Sequence, residues 1–266
     1  MLPIIKWTGS KRFAGPKLSP YIPISDRYVE PFLGGGAMLA YAKSNVLIGS
    51  DIIPELIWLW RLIQEYPEGI ATEYRKNWEL LSVLGQEYYY NVRTRYNRLK
   101  NSHDLFFLTR TCINGLIRFN QHGEFNIPFH HNRPGIDPNS LKDIAYKWSF
   151  LLNGATLIRR DYREALSDAK LGDFYFLDPP YFKTKGIYQS GMFDYPELWM
   201  SLDKLHSQHI RWMLTFNGEE GLVPEDVYTN VLVLDTKSSP MRRVLQNNNI
   251  GTSERVYMNY TTDLSY

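Results

Sequence analysis

Residues 174–181 have the sequence FYFLDPPY, in which a continuous apolar run is followed by an aspartate, two prolines and a tyrosine. An apolar run of this length predicts a strand that is buried on both faces, as in a parallel sheet. Ligands of open α/β sheets bind beyond the carboxyl ends of such strands. We therefore expect Asp178, Pro179, Pro180 and Tyr181 to lie where chemistry takes place.

The hydrogen-bonding capacity of this turn predicts what it can hold. The Asp178 carboxylate only accepts hydrogen bonds, and the stiff backbone of two successive prolines presents the Pro179 carbonyl as a second acceptor. Two acceptors on one rigid turn can take both N–H groups of a primary amine such as N6 of adenine, which localises and aims the nitrogen lone pair. Tyr181 supplies a flat face on which a base can stack. An ordinary Asp-Pro turn with a packed tyrosine is the alternative.

A second signal lies earlier in the chain, where residues 29–36 have the sequence VEPFLGGG. A strand, a glycine-rich turn and a helix, here residues 37–43, let the backbone approach a ligand closely. The glycine spacing differs from that of nicotinamide-dependent dehydrogenases, which disfavours an oxidoreductase. Asp51 ends the next strand, where an acidic side chain can bind ribose hydroxyls. An aspartate that caps the helix beginning at Pro54 is the alternative.

The periodicity of the rest of the chain predicts an α/β protein with an insertion. Two regions differ: the middle of the chain is predicted to be helical with a hairpin, whereas the flanking regions alternate strands and helices. We predict a catalytic domain at residues 1–66 and 148–266 and an inserted domain at residues 67–147. The predicted strands are 27–32, 46–50, 156–159, 174–177 and 211–216, with 227–234 and 254–260 as an antiparallel edge hairpin; the predicted helices are 54–66, 86–100 and 104–112, and the inserted hairpin is 114–129.

Composition excludes several classes of protein. The chain has 266 residues, one cysteine and a net charge of +2, so it has no disulfide framework and no cysteine-based zinc site. The histidines are scattered, and we expect no metal. The N-terminus lacks the apolar run of a signal peptide, and the most apolar stretch, residues 55–63, is interrupted by Arg61 and too short for a membrane span. We expect a cytoplasmic protein with no membrane partner.

These motifs together resemble the Dam-type family of adenine-N6 DNA methyltransferases, the D12 class of the alpha group. In that family the cofactor motif precedes the DPPY motif, and the target-recognition domain lies between them. The resemblance implies a Rossmann-like class I methyltransferase fold, with a mainly parallel twisted sheet, an antiparallel edge hairpin and an inserted, mainly helical target-recognition domain that carries a β-hairpin. The matching stretches are residues 6–11 (KWTGSK), 29–36, Asp51, 114–120 (NGLIRFN), 123–129 (GEFNIPF) and 178–181.

The resemblance also implies S-adenosylmethionine as the methyl donor and assigns residues to it. Trp7 and Lys11 are expected to close the cofactor site, in a motif where Ser10 replaces the second glycine of many relatives. Asp178 belongs to both the cofactor site and the catalytic motif. The other cofactor-binding residues are Glu30, Phe32 and Gly34 around the methionine part, Asp51 at the ribose, and Asp161 and Tyr162 at the adenine.

Double-stranded DNA is the partner that the resemblance implies. Arg118 is expected to read a guanine edge at O6 and N7, with a phosphate contact as the alternative. Lys6 corresponds to a contact with the first guanine, and Ile113 stands where relatives can carry an intercalating tyrosine. Residues 88–98 and 109–112 resemble modification methylases that act within GATATC, so we expect a site that begins with GAT, either GATC or GATATC. The predicted DNA-binding residues are Lys6, Arg93, Asn114, Leu116, Arg118, Asn120, Pro128, Lys183 and Lys185.

The sequence thus predicts a site-specific DNA adenine-N6 methyltransferase that flips its target base out of the duplex. We expect a monomer that functions alongside a restriction endonuclease without binding it stably. Two alternatives stay open. One is an S-adenosylmethionine-dependent N-methyltransferase that acts on RNA or on protein glutamine through a similar turn, and the other is a catalytically inactive DNA-binding relative.

Overall fold

The computed structural model describes residues 1–132, 135–180, 193–216, 230–236 and 252–262, with the backbone alone at residues 230–236 and 252–254. Within these residues the strands form a single sheet. They are β1 (Arg27–Glu30), β2 (Leu47–Asp51), β3 (Thr156–Arg159), β4 (Asp173–Leu177), β5 (Arg211–Phe216), β6 (Asn230–Thr236) and β7 (Thr252–Met258).

The strand order is β3-β2-β1-β4-β5-β7-β6. The first five strands along the chain pair in parallel, whereas β7 pairs antiparallel with both β5 and β6. The predicted mainly parallel sheet with an antiparallel edge hairpin is therefore confirmed, and the architecture is the expected Rossmann-like methyltransferase fold. Strands β1 and β4 are central neighbours, which brings the residues that follow their carboxyl ends to one edge of the sheet.

Eight α-helices surround the sheet or extend from it within the described residues. Several begin at a proline in the first turn, a position where the missing N–H has no partner to lose. The predicted helices at 54–66, 86–100 and 104–112 correspond to α2, α4 and α5. The helices are α1 (Gly15–Leu18), α2 (Pro54–Glu65), α3 (Pro67–Leu84), α4 (Gln86–Leu99), α5 (Ser102–Thr111), α6 (Pro138–Leu151), α7 (Tyr162–Ser167) and α8 (Tyr195–Ser207).

The helix expected at residues 37–43 is not formed, and this prediction was wrong. Only a 3-10 turn, Leu39–Tyr41, occurs there. Its hydrogen bonds join residues three apart, as from the Tyr41 N–H to the Met38 carbonyl. Ala42 has φ −58° and ψ 138°, backbone angles outside the helical region, so the chain leaves the turn after Tyr41.

The core lies on both faces of the sheet because successive residues of a buried strand point to opposite sides. In β4, Phe174 and Phe176 join one apolar cluster, whereas Tyr175 and Leu177 join the other. The larger cluster continues without a break from the sheet into α2–α6. The ring centroids of Trp60 and Trp148 lie 5.2 Å apart in it. The division of the chain into two domains stays a prediction.

The hairpin expected at residues 114–129 is present as two isolated antiparallel bridges, Cys112 with Phe129 and Phe119 with Phe125. Its bend lies at residues 120–123, where the Gly123 N–H donates to the Asn120 carbonyl at 2.9 Å. Burial alternates along both arms, so that apolar side chains face α4 and α5 and polar ones face outward. The buried residues are Ile117, Phe119, Phe125, Ile127 and Phe129.

None of the helices in the described segments combines the length and apolar character that crossing a bilayer requires. In the same segments, His, Cys, Asp and Glu side chains form no group of three or more that could hold a metal ion. Cys112 is buried, and burial raises the pKa of its thiol to about 12.

Candidate active site

A cleft opens at the carboxyl ends of β1 and β4, where three stretches of chain meet. We call residues 6–11 the N-terminal strap and residues 34–36 the glycine loop. The strap contributes its residues 7–11 to the lining, the glycine loop contributes all three of its residues, and residues 178–180 close the opposite side. Six of the predicted cofactor-binding residues therefore share one cleft: Trp7, Lys11, Glu30, Phe32, Gly34 and Asp178.

Asp178 is held by two side chains from different parts of the chain. The Lys11 Nζ lies 2.6 Å from Oδ1 of Asp178, and the two side chains are 5% and 18% exposed. The Thr215 hydroxyl, at the end of β5, donates to the same Oδ1 at 2.8 Å. The Lys11 ammonium also donates to the Gly9 carbonyl at 3.1 Å. A carboxylate fixed from two directions in a poorly solvated site has a defined orientation toward the cleft.

Two tryptophans pack against the glycine loop and leave no room for side chains at Gly34 and Gly36. A Cβ at Gly34 would lie 2.8 Å from Cδ1 of Trp7, and one at Gly36 would lie 2.7 Å from Cζ2 of Trp60. Both glycines have positive φ, 46° and 57°, a region that other residues rarely adopt. The Trp60 Nε1–H donates to the Gly34 carbonyl at 2.9 Å. The loop is thus fixed in shape at the floor of the cleft.

Asp51 supports the glycine loop from below and does not line the cleft itself. Its Oδ2 accepts the Gly34 N–H at 3.0 Å, and its Oδ1 accepts the Ile53 N–H at 3.1 Å, directly before α2. Burial raises the pKa of Asp51 to about 6, against the opposing effect of these backbone hydrogen bonds. Asp51 thus bonds to the N-cap residue of α2 and not to an N–H within the helix, and no side chain caps α2, so the capping alternative is wrong. The contact of Asp51 with a ribose stays a prediction.

Glu30 is the second buried carboxyl at the cleft. It is 3% exposed, and its Oε2 has no hydrogen-bond partner among the described residues. Burial, and next the charge of Asp178, raise the pKa of Glu30 well above its usual range. An acceptor that is buried without a partner is costly. Its position in the lining of the cleft fits a ligand that carries a positive charge or N–H donors.

Asp161 and Tyr162 do not line the cleft, but the Tyr162 ring packs against Phe32, which does. The Asp161 side chain accepts the Arg163 N–H at 2.9 Å and so caps α7. The Tyr162 ring lies 5.3 Å from the Phe32 ring and 5.2 Å from the Phe193 ring, centroid to centroid. These three rings form an aromatic wall against which a purine can pack. Whether the cofactor adenine binds there stays a prediction.

The outward face of the hairpin carries three of the predicted DNA-binding side chains. Arg118 is exposed, and its Nε–H donates to Oδ1 of Asn126 at 3.1 Å. The Asn120 amide donates to the Glu124 carboxylate at 2.9 Å across the bend. Pro128 is exposed on the returning arm. Arg118 is thus presented to solvent on a backbone whose opposite face is packed, as a groove-reading residue requires.

The other predicted DNA-binding residues lie at the base of the hairpin or behind it. Arg93 donates to the Ile127 carbonyl at 3.3 Å and stacks over the Tyr90 ring, so it braces the hairpin. Asn114 is exposed with φ 55°, and the half-buried Leu116 follows it two residues later. A Cβ at Gly115 would lie 2.8 Å from Cβ of Lys6, which places Lys6 against the hairpin base.

The model of the D12 class N6 adenine-specific DNA methyltransferase family matches residues 7–215. The chain belongs to this family. It is 31% identical to the type II methyltransferase M.MjaIII of Methanocaldococcus jannaschii over 202 residues, which are 67% of this chain and 68% of that protein. It is 28% identical to the Retron Ec67 DNA adenine methylase of Escherichia coli over 229 residues, or 83% and 75% of the two chains.

Among solved structures, the rRNA methyltransferase AviRa from Streptomyces viridochromogenes is similar to this chain with a TM-score of 0.40 and 13% sequence identity. The similarity covers 93% of this chain and 81% of that one. As a member of the D12 class, the chain is an enzyme that methylates adenine in DNA, so DNA is its substrate and it needs a methyl donor.

In this D12-class chain, sequence reasoning missed three residues that shape the site. They are Thr215, which donates to Asp178, Trp60, which donates to the glycine loop, and Tyr195, whose hydroxyl donates to the Pro180 carbonyl. Only Thr215 carried a sequence signal, because it is a polar residue in the otherwise apolar end of β5. Three predicted site residues, Tyr181, Lys183 and Lys185, lie outside the described residues.

Proposed function

We propose that this protein is a site-specific DNA adenine-N6 methyltransferase that uses S-adenosylmethionine and flips the target adenine out of the duplex. The observation that carries the proposal is the position of Asp178. Its carboxylate lines a cleft opposite the glycine loop and is fixed there by Lys11 and Thr215. We further propose that the recognition site begins with GAT and is either GATC or GATATC.

The residues of the cleft fit S-adenosylmethionine. When bound, this donor supplies a methyl group on a positively charged sulfur, together with an α-amino group. The buried Oε2 of Glu30, which lacks a partner among the described residues, fits a cationic or N–H-bearing ligand. The glycine loop allows close backbone approach, and Trp7 packs across it. Asp161 and Tyr162 would bind the adenine ring, Phe32 would pack beside the methionine part, and Asp51 would accept the ribose hydroxyls.

The turn at residues 178–180 would hold the substrate amine. Asp178 accepts one N–H of the adenine N6 group and the Pro179 carbonyl accepts the other, so that the nitrogen lone pair is no longer delocalised into the ring. Lys11 and Thr215 keep the carboxylate in the orientation that this requires. Much of the rate gain then comes from positioning the amine. Tyr195 fixes the far end of the turn by its bond to the Pro180 carbonyl.

The target adenine has to leave the base stack to reach this turn, because N6 of a paired adenine lies within the duplex. We propose that the outward face of the hairpin reads the site while the base enters the cleft. An arginine fork pairs bidentately with guanine O6 and N7. Arg118 has the exposure that this needs, and its bond to Asn126 sets the direction of its side chain.

The experiment that tests the proposed function is long-read sequencing of DNA from a methylation-free host that expresses the protein. We expect N6-methyladenine at nearly every copy of one short site that begins with GAT. Asp178→Ala should abolish the signal while the purified variant still binds duplex DNA. The control is Asp143→Ala, an exposed carboxylate on α6. Normal methylation by Asp178→Ala would contradict the role of the turn.

A second assay separates the substrate classes. Transfer of tritiated methyl groups is measured to duplex DNA, to RNA and to total protein under the same conditions. We expect transfer to DNA alone. Preferential transfer to RNA or to protein glutamine would replace the proposed function, and no transfer to any of the three would favour a DNA-binding relative without activity.

We also propose that the enzyme acts as a cytoplasmic monomer, one strand at a time, and alongside a restriction endonuclease without binding it stably. The type II names of relatives such as M.MjaIII support the link to restriction. Light scattering of the protein, free and bound to a duplex with one site, should give one protomer in both cases. A dimer on the duplex would contradict the monomer.

A further inference from the structure

The side chain of Thr8 joins the strap to the hairpin by hydrogen bonds. Its hydroxyl accepts the Ile117 N–H at 2.7 Å and donates to the Ile117 carbonyl at 3.3 Å. A single hydroxyl thus pairs with both backbone groups of one hairpin residue, as a neighbouring strand would. Ile117 is buried and Thr8 is half-buried at the rim of the cleft.

The residues on either side of this contact belong to the two parts of the proposed function, methyl transfer on the strap side and DNA reading on the hairpin side. On the strap, Trp7 packs on the glycine loop and Lys11 pairs with Asp178. On the hairpin, Arg118 follows Ile117 directly and is exposed. The Thr8–Ile117 contact is therefore a short physical link between the side chain proposed to read DNA and the carboxylate proposed to hold the target amine.

We propose that Thr8 is a positioning residue that makes methylation depend on the sequence read by the hairpin. The inference rests on the proposed function, in which the hairpin contacts base edges. A hairpin seated on the correct site keeps Ile117 paired with Thr8, and the strap then holds Lys11 on Asp178. A wrong base pair displaces the hairpin and breaks these two hydrogen bonds. The strap then moves, and Lys11 shifts away from Asp178.

A matched pair of variants isolates the hydroxyl. Thr8→Val keeps the shape of the side chain but cannot pair with the Ile117 backbone, whereas Thr8→Ser keeps both hydrogen bonds. For each variant, kcat, KM for DNA and the Kd of S-adenosylmethionine are measured on a duplex with the methylated site and on one with a single altered base pair in it. Thermal unfolding is followed in parallel to show how much of each variant is folded.

We expect Thr8→Val to lower the ratio of kcat on the correct duplex to kcat on the altered duplex by roughly tenfold, since it removes two hydrogen bonds at a buried link. KM for DNA and the Kd of the donor should change by no more than about twofold. Thr8→Ser should restore the ratio. A purely structural role would lower the folded fraction, which reduces both kcat values equally and leaves their ratio unchanged.

An unchanged ratio in Thr8→Val overturns the inference, and so does a Thr8→Ser variant that behaves like Thr8→Val. Arg118→Ala in the same assay separates this failure from that of the proposed function. If Arg118→Ala loses discrimination while Thr8→Val keeps it, only the coupling through Thr8 is wrong. If Arg118→Ala discriminates like the unchanged enzyme, the hairpin is not the reader, and the reading role and the inference are both overturned.

Discussion

The Lys11 ammonium lies 2.6 Å from Oδ1 of Asp178 and is almost fully shielded from solvent. This ion pair joins the N-terminal strap to the residue that follows β4, so the two motifs form a single unit despite their separation in sequence. Removing one member of a buried pair leaves an uncompensated charge, which costs far more than an exposed pair contributes. Lys11 therefore has an electrostatic effect on the turn at residues 178–180, for which we propose a catalytic role.

Lys11→Met tests this effect. We expect kcat to fall roughly 10- to 100-fold, because Asp178 loses the cation that orients it. Binding of duplex DNA should change little, since the Lys11 side chain lines the cleft and is only 5% exposed. Single-turnover methylation with excess enzyme gives the rate of the chemical step. Lys17→Met, at an exposed lysine of α1, is the control. Equal rates for Lys11→Met and Lys17→Met would show that the ion pair has no part in catalysis.

Thr215→Val removes the second donor to Asp178 while keeping the volume of the side chain. We expect a roughly tenfold loss of kcat, since a hydrogen bond to a charged group contributes about 1.5–3 kcal/mol and the Lys11 pair stays in place. The matched control is Thr109→Val, a fully buried threonine of α5 whose hydroxyl donates to the Phe106 carbonyl. Steady-state kinetics and thermal unfolding of both variants separate catalysis from stability. A rate loss shared by Thr109→Val would argue for a general packing effect.

Arg118→Ala should relax discrimination at one base pair of the site. A bidentate arginine–guanine pair contributes about 1–3 kcal/mol of discrimination, so the preference at that position should fall roughly 10- to 100-fold. Competition between duplexes that differ at single positions measures it. Arg75→Ala, on α3, is the control because the Arg75 guanidinium donates to Oδ1 of Asn139 on α6, at 2.7 Å. A uniform loss of affinity for all duplexes, with a weaker salt dependence, would instead indicate a phosphate contact.

The raised pKa of Asp51 leads us to expect opposite pH trends in the free energy of unfolding and in the affinity for S-adenosylmethionine. The pKa of Asp51 is raised from 3.8 to about 6 by burial. At a pH between 3.8 and about 6, Asp51 is protonated in the folded protein and ionised in the unfolded chain. The contribution of Asp51 to the free energy of unfolding therefore falls as pH rises through this window. An ionised Asp51 is the better acceptor for ribose hydroxyls, so the affinity for S-adenosylmethionine should rise over the same window.

Calorimetry and denaturant unfolding from about pH 4 to about pH 7 check both trends. Asp51→Asn should flatten both, whereas Glu30→Gln, which removes the other buried carboxyl at the cleft, should leave the change near pH 6 in place. Donor affinity that stays constant across the window would contradict a role of Asp51 at the ribose.

The strands and the turn at residues 178–180 followed from sequence because short-range patterns determine them. The apolar run of β4 predicted a buried parallel strand and the two prolines predicted a stiff turn after it, and the structure confirms the strand and the place of the turn at the cleft. The alternation that predicted the hairpin likewise reports directly on which side chains can be buried.

The contacts of the site between residues that lie far apart in the sequence could not be predicted in the same way. Thr215 reaches Asp178 only because β5 is the neighbour of β4 in the sheet, and Trp60 reaches the glycine loop only because α2 packs below it. The failed helix at residues 37–43 has a related cause. Local propensity favoured a helix there, but Ala42 has φ −58° and ψ 138°, which ends the turn after Tyr41, and no pattern within residues 37–43 indicates this.

The alternation along the hairpin also bears on how new specificities arise. The rings and branched chains that anchor it occupy one set of positions, and the groups that face solvent, which we propose contact DNA, occupy the intervening set. Substitutions at Arg118, Glu124 or Pro128 therefore change the chemistry of the exposed surface at little thermodynamic cost to the fold, whereas the Asn120 side chain accepts the His122 and Glu124 N–H groups and holds the bend. Mutational libraries restricted to these three codons should yield mostly folded enzymes, and natural drift there can explore different target sites without passing through unstable intermediates.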